Sequence, residues 1–264
     1  MLTEQQIQHF HTLGFVIFRQ LLNPEELNTI QEEFETAMEA AYRHAPFDGT
    51  RRHWLPMMGP ETPFFTSLPE DPRFCGVAEQ LYGDDVFLVV SDANRYVGNT
   101  GWHPDHNADP AQDCYGVKFA YYLEPVDAES GALRLIPGSH NRSLHDDLRE
   151  NLNTLGLEIC DVPGYVCKSE PGDVVAFDMR CWHASWGGSE DRRMCTVVYY
   201  NNPETPEEVA ATRNRARSNA KSPEHYNRPG SPLYDPHWVE NSAGSEKRQQ
   251  WINRLRELGF LDTI

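Results

Sequence analysis

Trp102-His103-Pro104-Asp105-His106, read together with His183 far downstream, decides how this chain folds. His103 and Asp105 lie two apart, so on an extended segment both side chains leave the same face. His183 has to arrive from another strand, which a folded-back β-sandwich supplies. Two imidazoles and one carboxylate are the facial ligand set of non-haem Fe(II), and they leave the opposite face open for a bidentate cosubstrate and O2. A lone His-x-Asp triplet is a weak signal. Taken singly, His103 reads more readily as a solvated loop residue, and His183 as a core histidine stacked on Trp182 or Trp186. The weight comes from the order of the downstream segments: Gly131-Ala-Leu-Arg-Leu-Ile-Pro-Gly-Ser-His140, Trp182-His183-Ala-Ser185, then Arg192-Arg193 opening a strand-like run.

The segments around this core agree with it. Short runs rich in β-branched and aromatic residues, such as Phe87 to Val90, Val117 to Leu123, Leu133 to Ile136, Val174 to Phe177 and Met194 to Tyr200, are separated by Asp, Gly and Pro. Strands this short suit a sandwich or jelly roll rather than a parallel α/β sheet. Upstream, Thr3 and Asn23 are helix caps, with Pro24 in the first turn and Glu26 three residues after the second cap. Leu27, Ile30, Phe34 and Met38 form a stripe for packing on a sheet. Residues 44–72 read as an irregular aromatic loop, either a cover or part of a substrate wall. Helices return after Pro203. The expectation is one domain over 1–264: helices at 3–82, a β-core at about 86–202 and a helical extension at 203–264. Its class is mainly β with flanking helices (α+β), built on a double-stranded β-helix of the jelly-roll or cupin-like kind.

The formal charge of −17, from 23 basic and 40 acidic residues, disfavours nucleic acid and anionic membranes as partners. Six scattered cysteines without a CxxC pair suit reduced thiols in the cytoplasm, where ferrous iron is easiest to keep. No apolar run reaches membrane-spanning length.

A keto acid chelating iron leaves a distal carboxylate to be held, and the planar fork of arginine suits it. Arg192 and Arg193 both come after His183, and on a strand only one of them faces inward. Here the chain resembles the phytanoyl-CoA dioxygenase family of Fe(II)/2-oxoglutarate oxygenases. The likeness rests on His103-x-Asp105, Ser130-Gly-Ala-Leu-Arg-Leu-Ile-Pro-Gly-Ser-His140, Pro171-Gly-Asp-Val174, His183-Ala-Ser185, the Arg193-to-Tyr200 strand and the opening Phe10-x-x-x-Gly14-Phe-Val. It runs from about residue 3 to 202. It implies iron on His103, Asp105 and His183, and 2-oxoglutarate on Arg193, chosen over Arg192 by its distance from Tyr200-Asn201. It also implies a polar cosubstrate contact on the preceding strand, for which Ser91 and Asn94 are candidates. The implied reaction is hydroxylation of an aliphatic C–H with release of succinate and CO2. Asp105 favours this outcome, since related halogenases replace that carboxylate with a small residue.

Substrate contacts are expected from Arg95, His106, Asn107, Lys118, Tyr121 and Trp182, with Trp54 and Trp186 as aromatic walls. This mixture suits a small metabolite or natural-product intermediate. Two other readings stand beside the hydroxylase: a metal cupin that needs no keto acid (an isomerase or direct dioxygenase), and a non-catalytic binding module on the same fold.

Overall fold

The structure is a computed structural model describing residues 1–188, 190–228 and 230–261. In chain order its elements are α1 (Glu4–Leu13), β1 (Phe15–Phe18), α2 (Pro24–Ala41), β2 (His53–Pro56), α3 (Pro63–Ser67), α4 (Cys75–Tyr82), β3 (Phe87–Tyr96), β4 (Thr100–His103) and β5 (Gly116–Tyr122). They continue with β6 (Leu133–Leu135), α5 (Arg142–Asn151), β7 (Tyr165–Val166), β8 (Val174–Asp178), β9 (His183–Ser185), β10 (Arg192–Tyr200), α6 (Pro206–Asn219), α7 (Ser222–His225), α8 (Pro236–Glu240) and α9 (Glu246–Glu257).

The expected caps form. Thr3 and Asn23 both make capping boxes, with Gln6 and Glu26 as their partners, and α1 ends on left-handed Gly14. Gly14 also faces Cys181 and His140 so closely that a Cβ would lie 2.3 Å from the Cys181 sulfur. The first helix is thereby held against the loop that leads into His183.

Two antiparallel sheets face each other. The larger has the order β1-β8-β5-β10-β3-β2 and the smaller β4-β9-β6-β7. This is the jelly-roll core, mostly β with helices on the outside; the sheets do not close into a barrel among the described residues. One face of the larger sheet packs on α2, α4 and α9 through Ile30, Phe34, Val77, Phe119, Val197, Tyr199, Trp251 and Leu255. The other face looks toward the smaller sheet. Alternation along β3, β5 and β10 therefore sorts every residue into the helix-side core or the space between the sheets.

β3 runs without a break from Phe87 to Tyr96, carries Ser91 and Asn94, and pairs with both β10 and β2. Residues 44–72 include the edge strand β2, with Trp54 opposite Asn94 in register. α5 interrupts the β-core between β6 and β7, from Arg142 to Asn151. Among the described residues, no helix is long and apolar enough to cross a membrane.

A candidate metal centre and its cavity

His103 ends β4 and stands opposite His183 on β9. The Asp105 amide donates to the Met179 carbonyl at 3.0 Å, which turns its carboxylate toward the two rings. Ligand atoms of His103, Asp105 and His183 all lie within 4.8 Å of one another. The His183 Nε2 is 3.9 Å from an Asp105 oxygen.

The tautomers are set by the partners. His103 Nδ1 lies 2.8 Å from the Gly101 carbonyl, and His183 Nδ1 lies 3.0 Å from the Cys181 carbonyl. A carbonyl only accepts, so each Nδ1 carries the proton and each Nε2 keeps its lone pair. Second partners of this kind fix ring orientation in metal sites. Burial, helped by the nearby charges of His103 and Lys118, pushes the His183 imidazolium down to about 4, so the ring is neutral near pH 7. Burial alone would raise the Asp105 carboxyl. Lys118, whose Nζ donates to it at 2.5 Å, overrides this together with the two histidines and holds it far below the usual range. Two neutral imidazoles and an ionised carboxylate suit a divalent iron ion.

These three residues line a cavity of about 280 Å³ between the sheets. Arg192 enters the same cavity and is only 2% exposed. Its Nη2 donates to the Ser185 hydroxyl at 3.0 Å and its Nη1 to the Gly98 carbonyl at 3.3 Å, while its buried Nε has no partner among the described residues. Gly131 and Gly188 make the room. A Cβ on either would lie 2.0 Å from Arg192 Nη1. A buried guanidinium held only by neutral groups is a ready receptor for a carboxylate.

Arg193 does not enter the cavity, contrary to the expectation from its distance to Tyr200-Asn201. Arg192, Met194, Val198 and Tyr200 of β10 face inward. Arg193 takes the other side, where Glu124 binds it at 3.1 Å and Glu35 of α2 at 2.9 Å. The same alternation corrects other expectations. Ser91 is fully buried on the helix side of β3, next to the Met58 sulfur. Tyr121 lies in the helix-side core, and Tyr122 is the residue of β5 that lines the cavity. Arg95 faces outward to pair with Glu35 and Asp191. Asn107 is occupied by its own loop, bonding Asp113, Gln112 and Asp109. Trp182 is buried behind the site with Ile136, Leu152 and Val162, and Trp186 lies beside Arg134. Asn94 touches the cavity wall indirectly, accepting from Arg52 and donating to Asp92. Lys118 and His106 do line the cavity, as does Trp54. His106 is also kept neutral, lowered to about 4 by burial and then by Arg215.

Sequence reasoning missed the contribution of the C-terminal helices. Arg215, Asn219, Ser222, Tyr226 and Leu233 all line the cavity. Arg215 pairs with Asp113, and its Nη2 donates to the Asp105 carbonyl at 3.1 Å, so α6 holds the backbone of a metal-ligand candidate. A second cluster, His106, Asp113 and Cys114, is not a metal-site candidate of the same kind, because Arg215 occupies Asp113 and burial pushes the Cys114 thiol far up.

The phytanoyl-CoA dioxygenase family model matches residues 10–195, about two thirds of the chain. The chain belongs to the phytanoyl-CoA dioxygenase family. Its enzyme class is accordingly that of the iron- and 2-oxoglutarate-dependent dioxygenases. Among curated relatives, ectoine dioxygenase of Bordetella bronchiseptica is 24% identical over 217 residues, covering 70% of each chain. L-proline trans-4-hydroxylase of Streptomyces griseoviridis is 26% identical over 160 residues, covering 49% of this chain and 60% of that one. HygX of Streptomyces hygroscopicus, crystallised with nickel and 2-oxoglutarate, shares the fold at a TM-score of 0.59 and 19% identity, over 76% of this chain and 88% of that one. EctD of S. alaskensis, with 2-oxoglutarate and 5-hydroxyectoine, does so at 0.57 and 20%, over 76% and 80%. The cavity sits where the two sheets face each other, but five of its lining residues, Arg215, Asn219, Ser222, Tyr226 and Leu233, lie well beyond the family match.

Proposed function

We propose that this family member hydroxylates an aliphatic C–H of a small metabolite or natural-product intermediate, with iron on His103, Asp105 and His183 and 2-oxoglutarate on Arg192. The observation that carries this is the meeting, in one cavity, of the His-Asp-His cluster and a buried guanidinium with no acidic partner among the described residues. When bound, iron with 2-oxoglutarate and O2 supplies the oxidising power that exchanges C–H for C–OH and releases succinate and CO2.

The protein's own part is placement. His103 and His183 present fixed Nε2 lone pairs, and Asp105 presents a charged oxygen. Arg192 and Ser185 receive the distal carboxylate of the cosubstrate. Lys118 keeps Asp105 ionised and offers a second positive group beside it. Phe177, Met179, Tyr96 and Trp54 exclude water from the reacting carbon. A cavity of about 280 Å³, shared with the cosubstrate, favours a small substrate over a coenzyme A thioester. The helices after residue 205 belong to the same catalytic domain on this reading, since they complete the wall. The six free cysteines suit a reducing, cytoplasmic setting.

The Arg192 cradle favours a keto-acid enzyme over a cupin that uses none. The test is succinate formation from 2-oxoglutarate with Fe(II) and O2, with and without candidate metabolites. His183→Ala and Asp105→Ala should each abolish it. Undiminished succinate in both variants would falsify the ligand assignment.

A further inference from the structure

Four permanent cations line the cavity: Arg52, Lys118, Arg192 and Arg215. Lys118 pairs with Asp105, and Arg215 with Asp113. Arg192 has the cosubstrate as its proposed partner. That leaves Arg52, just before β2, which pairs with no acid among the described residues in a chain of net charge −17. Arg52 Nε and Nη2 both donate to the neutral Asn94 Oδ1, at 3.0 and 2.5 Å. Its Nη1 makes no hydrogen bond to a described residue. The guanidinium carbon lies 3.9 Å from the Tyr96 ring centre and 5.0 Å from that of Tyr226. Rings and amide thus hold the cation in position without neutralising it.

Asp92, an acid of the same cavity, is already engaged. One of its oxygens accepts from Asn94 Nδ2 and from Thr196 Oγ1, both at 2.9 Å. Asn94 therefore stands between Arg52 and Asp92 as a relay, and the open edge of the guanidinium is left for something else. A cation held ready in a cavity wall, with donors unspent, is the arrangement that binds a carboxylate through charge-assisted hydrogen bonds.

We infer that Arg52, positioned by Asn94, Tyr96 and Tyr226, is the receptor for a carboxylate of the primary substrate, so that the substrate is a small organic acid. This rests on the reading that the cavity is the catalytic site, and it deepens that reading. Tyr226 comes from the chain beyond the family match, so the receptor is built partly from a segment the family model does not cover. Arg192 and Arg52 would then divide the work, the first holding cosubstrate and the second substrate.

The test uses metal-free full-length protein, so that it does not depend on the iron assignment. The probes are butanoate, cyclopentanecarboxylate and benzoate, each beside its uncharged amide, with binding read by ligand-detected NMR. At least one acid should bind wild-type protein at up to about 10 mM, and its amide should not. Arg52→Gln should weaken that acid roughly 10- to 100-fold, the size of a lost charge-assisted contact. Arg52→Lys should recover part of the loss, and Arg192→Gln should retain the site. Amides binding as well as acids, acid affinity untouched by Arg52→Gln, equal loss in Arg52→Gln and Arg52→Lys, loss of the site in Arg192→Gln, or no acid binding at all would each overturn the proposal. Failure of the iron and 2-oxoglutarate reading would show elsewhere, as missing succinate formation, and would leave this binding result standing.

Discussion

His103 on β4 and His183 on β9 are register partners, their rings 4.3 Å apart, and each gives its Nδ1 proton to the carbonyl two residues before it. The pairing fixes both Nε2 lone pairs before any metal arrives. Removing either ring should therefore cut divalent metal binding sharply. Equilibrium dialysis with Co(II) is the check, and His103→Ala or His183→Ala should lose affinity by at least about 100-fold. Retained affinity in either protein would mean that the ion sits elsewhere.

Arg215 touches the centre only through the backbone of Asp105 and the side chain of Asp113. Arg215→Gln should lower metal affinity by roughly 10-fold, in the range seen when outer partners of ligands are removed. The fold should survive, because the rest of α6 is unaffected; circular dichroism separates the two effects. Unchanged Co(II) affinity would show that α6 does not position Asp105.

Burial lowers the affinity of His140 and His145 for a proton below the ordinary value near 6.5. The unfolded chain takes up these protons near pH 6.5, whereas the folded chain resists them. Their contribution is therefore fully present above about pH 6.5 and is lost as pH falls, by at most about 1.4 kcal/mol per pH unit per group. In His145 the Arg149 guanidinium, whose Nη2 donates to Nε2 at 2.8 Å, adds to the effect of burial, while the Nδ1 bond to the Arg180 carbonyl works against it. The urea midpoint of EDTA-treated protein should drop between pH 7.5 and 5.5, and less so in His145→Gln. A midpoint that rises over this interval would contradict the account.

Trp251 anchors α9 to the outer face of the larger sheet, 2% exposed, with Nε1 donating to the Val86 carbonyl at 3.2 Å. Trp251→Ala should cost roughly 3–5 kcal/mol by removing a large buried ring. Thermal or urea unfolding measures this directly. A cost below about 1 kcal/mol would mean that the C-terminal helices add little to the stability of the core.

The meeting of His103, Asp105 and His183 was legible because its pattern is local: two side chains two residues apart and a third followed by Ala-Ser. The jelly roll was legible from short strands divided by Gly, Pro and Asp. Which of Arg192 and Arg193 faces the cavity was not. β10 is apolar on both sides, with Met194, Val198 and Tyr200 facing the cavity and Cys195, Val197 and Tyr199 facing the helices, so hydrophobicity carries no parity signal. The glycines are the trace that was available, since Gly131 and Gly188 leave room for Arg192, and among the described residues no glycine makes a comparable gap beside Arg193. Tyr121 in place of Tyr122 is the same parity error on β5. The roles of Arg52, Arg215 and Tyr226 depend on segments far apart in sequence meeting at one cavity, and no local pattern announces that.

One anaerobic titration tests the central claim most directly. Fe(II) and then 2-oxoglutarate are added to metal-free wild-type, Arg192→Gln and Arg193→Gln proteins, and the weak visible band of an iron-chelated keto acid is monitored. The band should form at low 2-oxoglutarate in wild type and in Arg193→Gln, and should need at least about 10-fold more 2-oxoglutarate in Arg192→Gln. A band that is lost in Arg193→Gln and intact in Arg192→Gln would contradict the assignment, and no band in wild type would remove the keto acid from the site altogether.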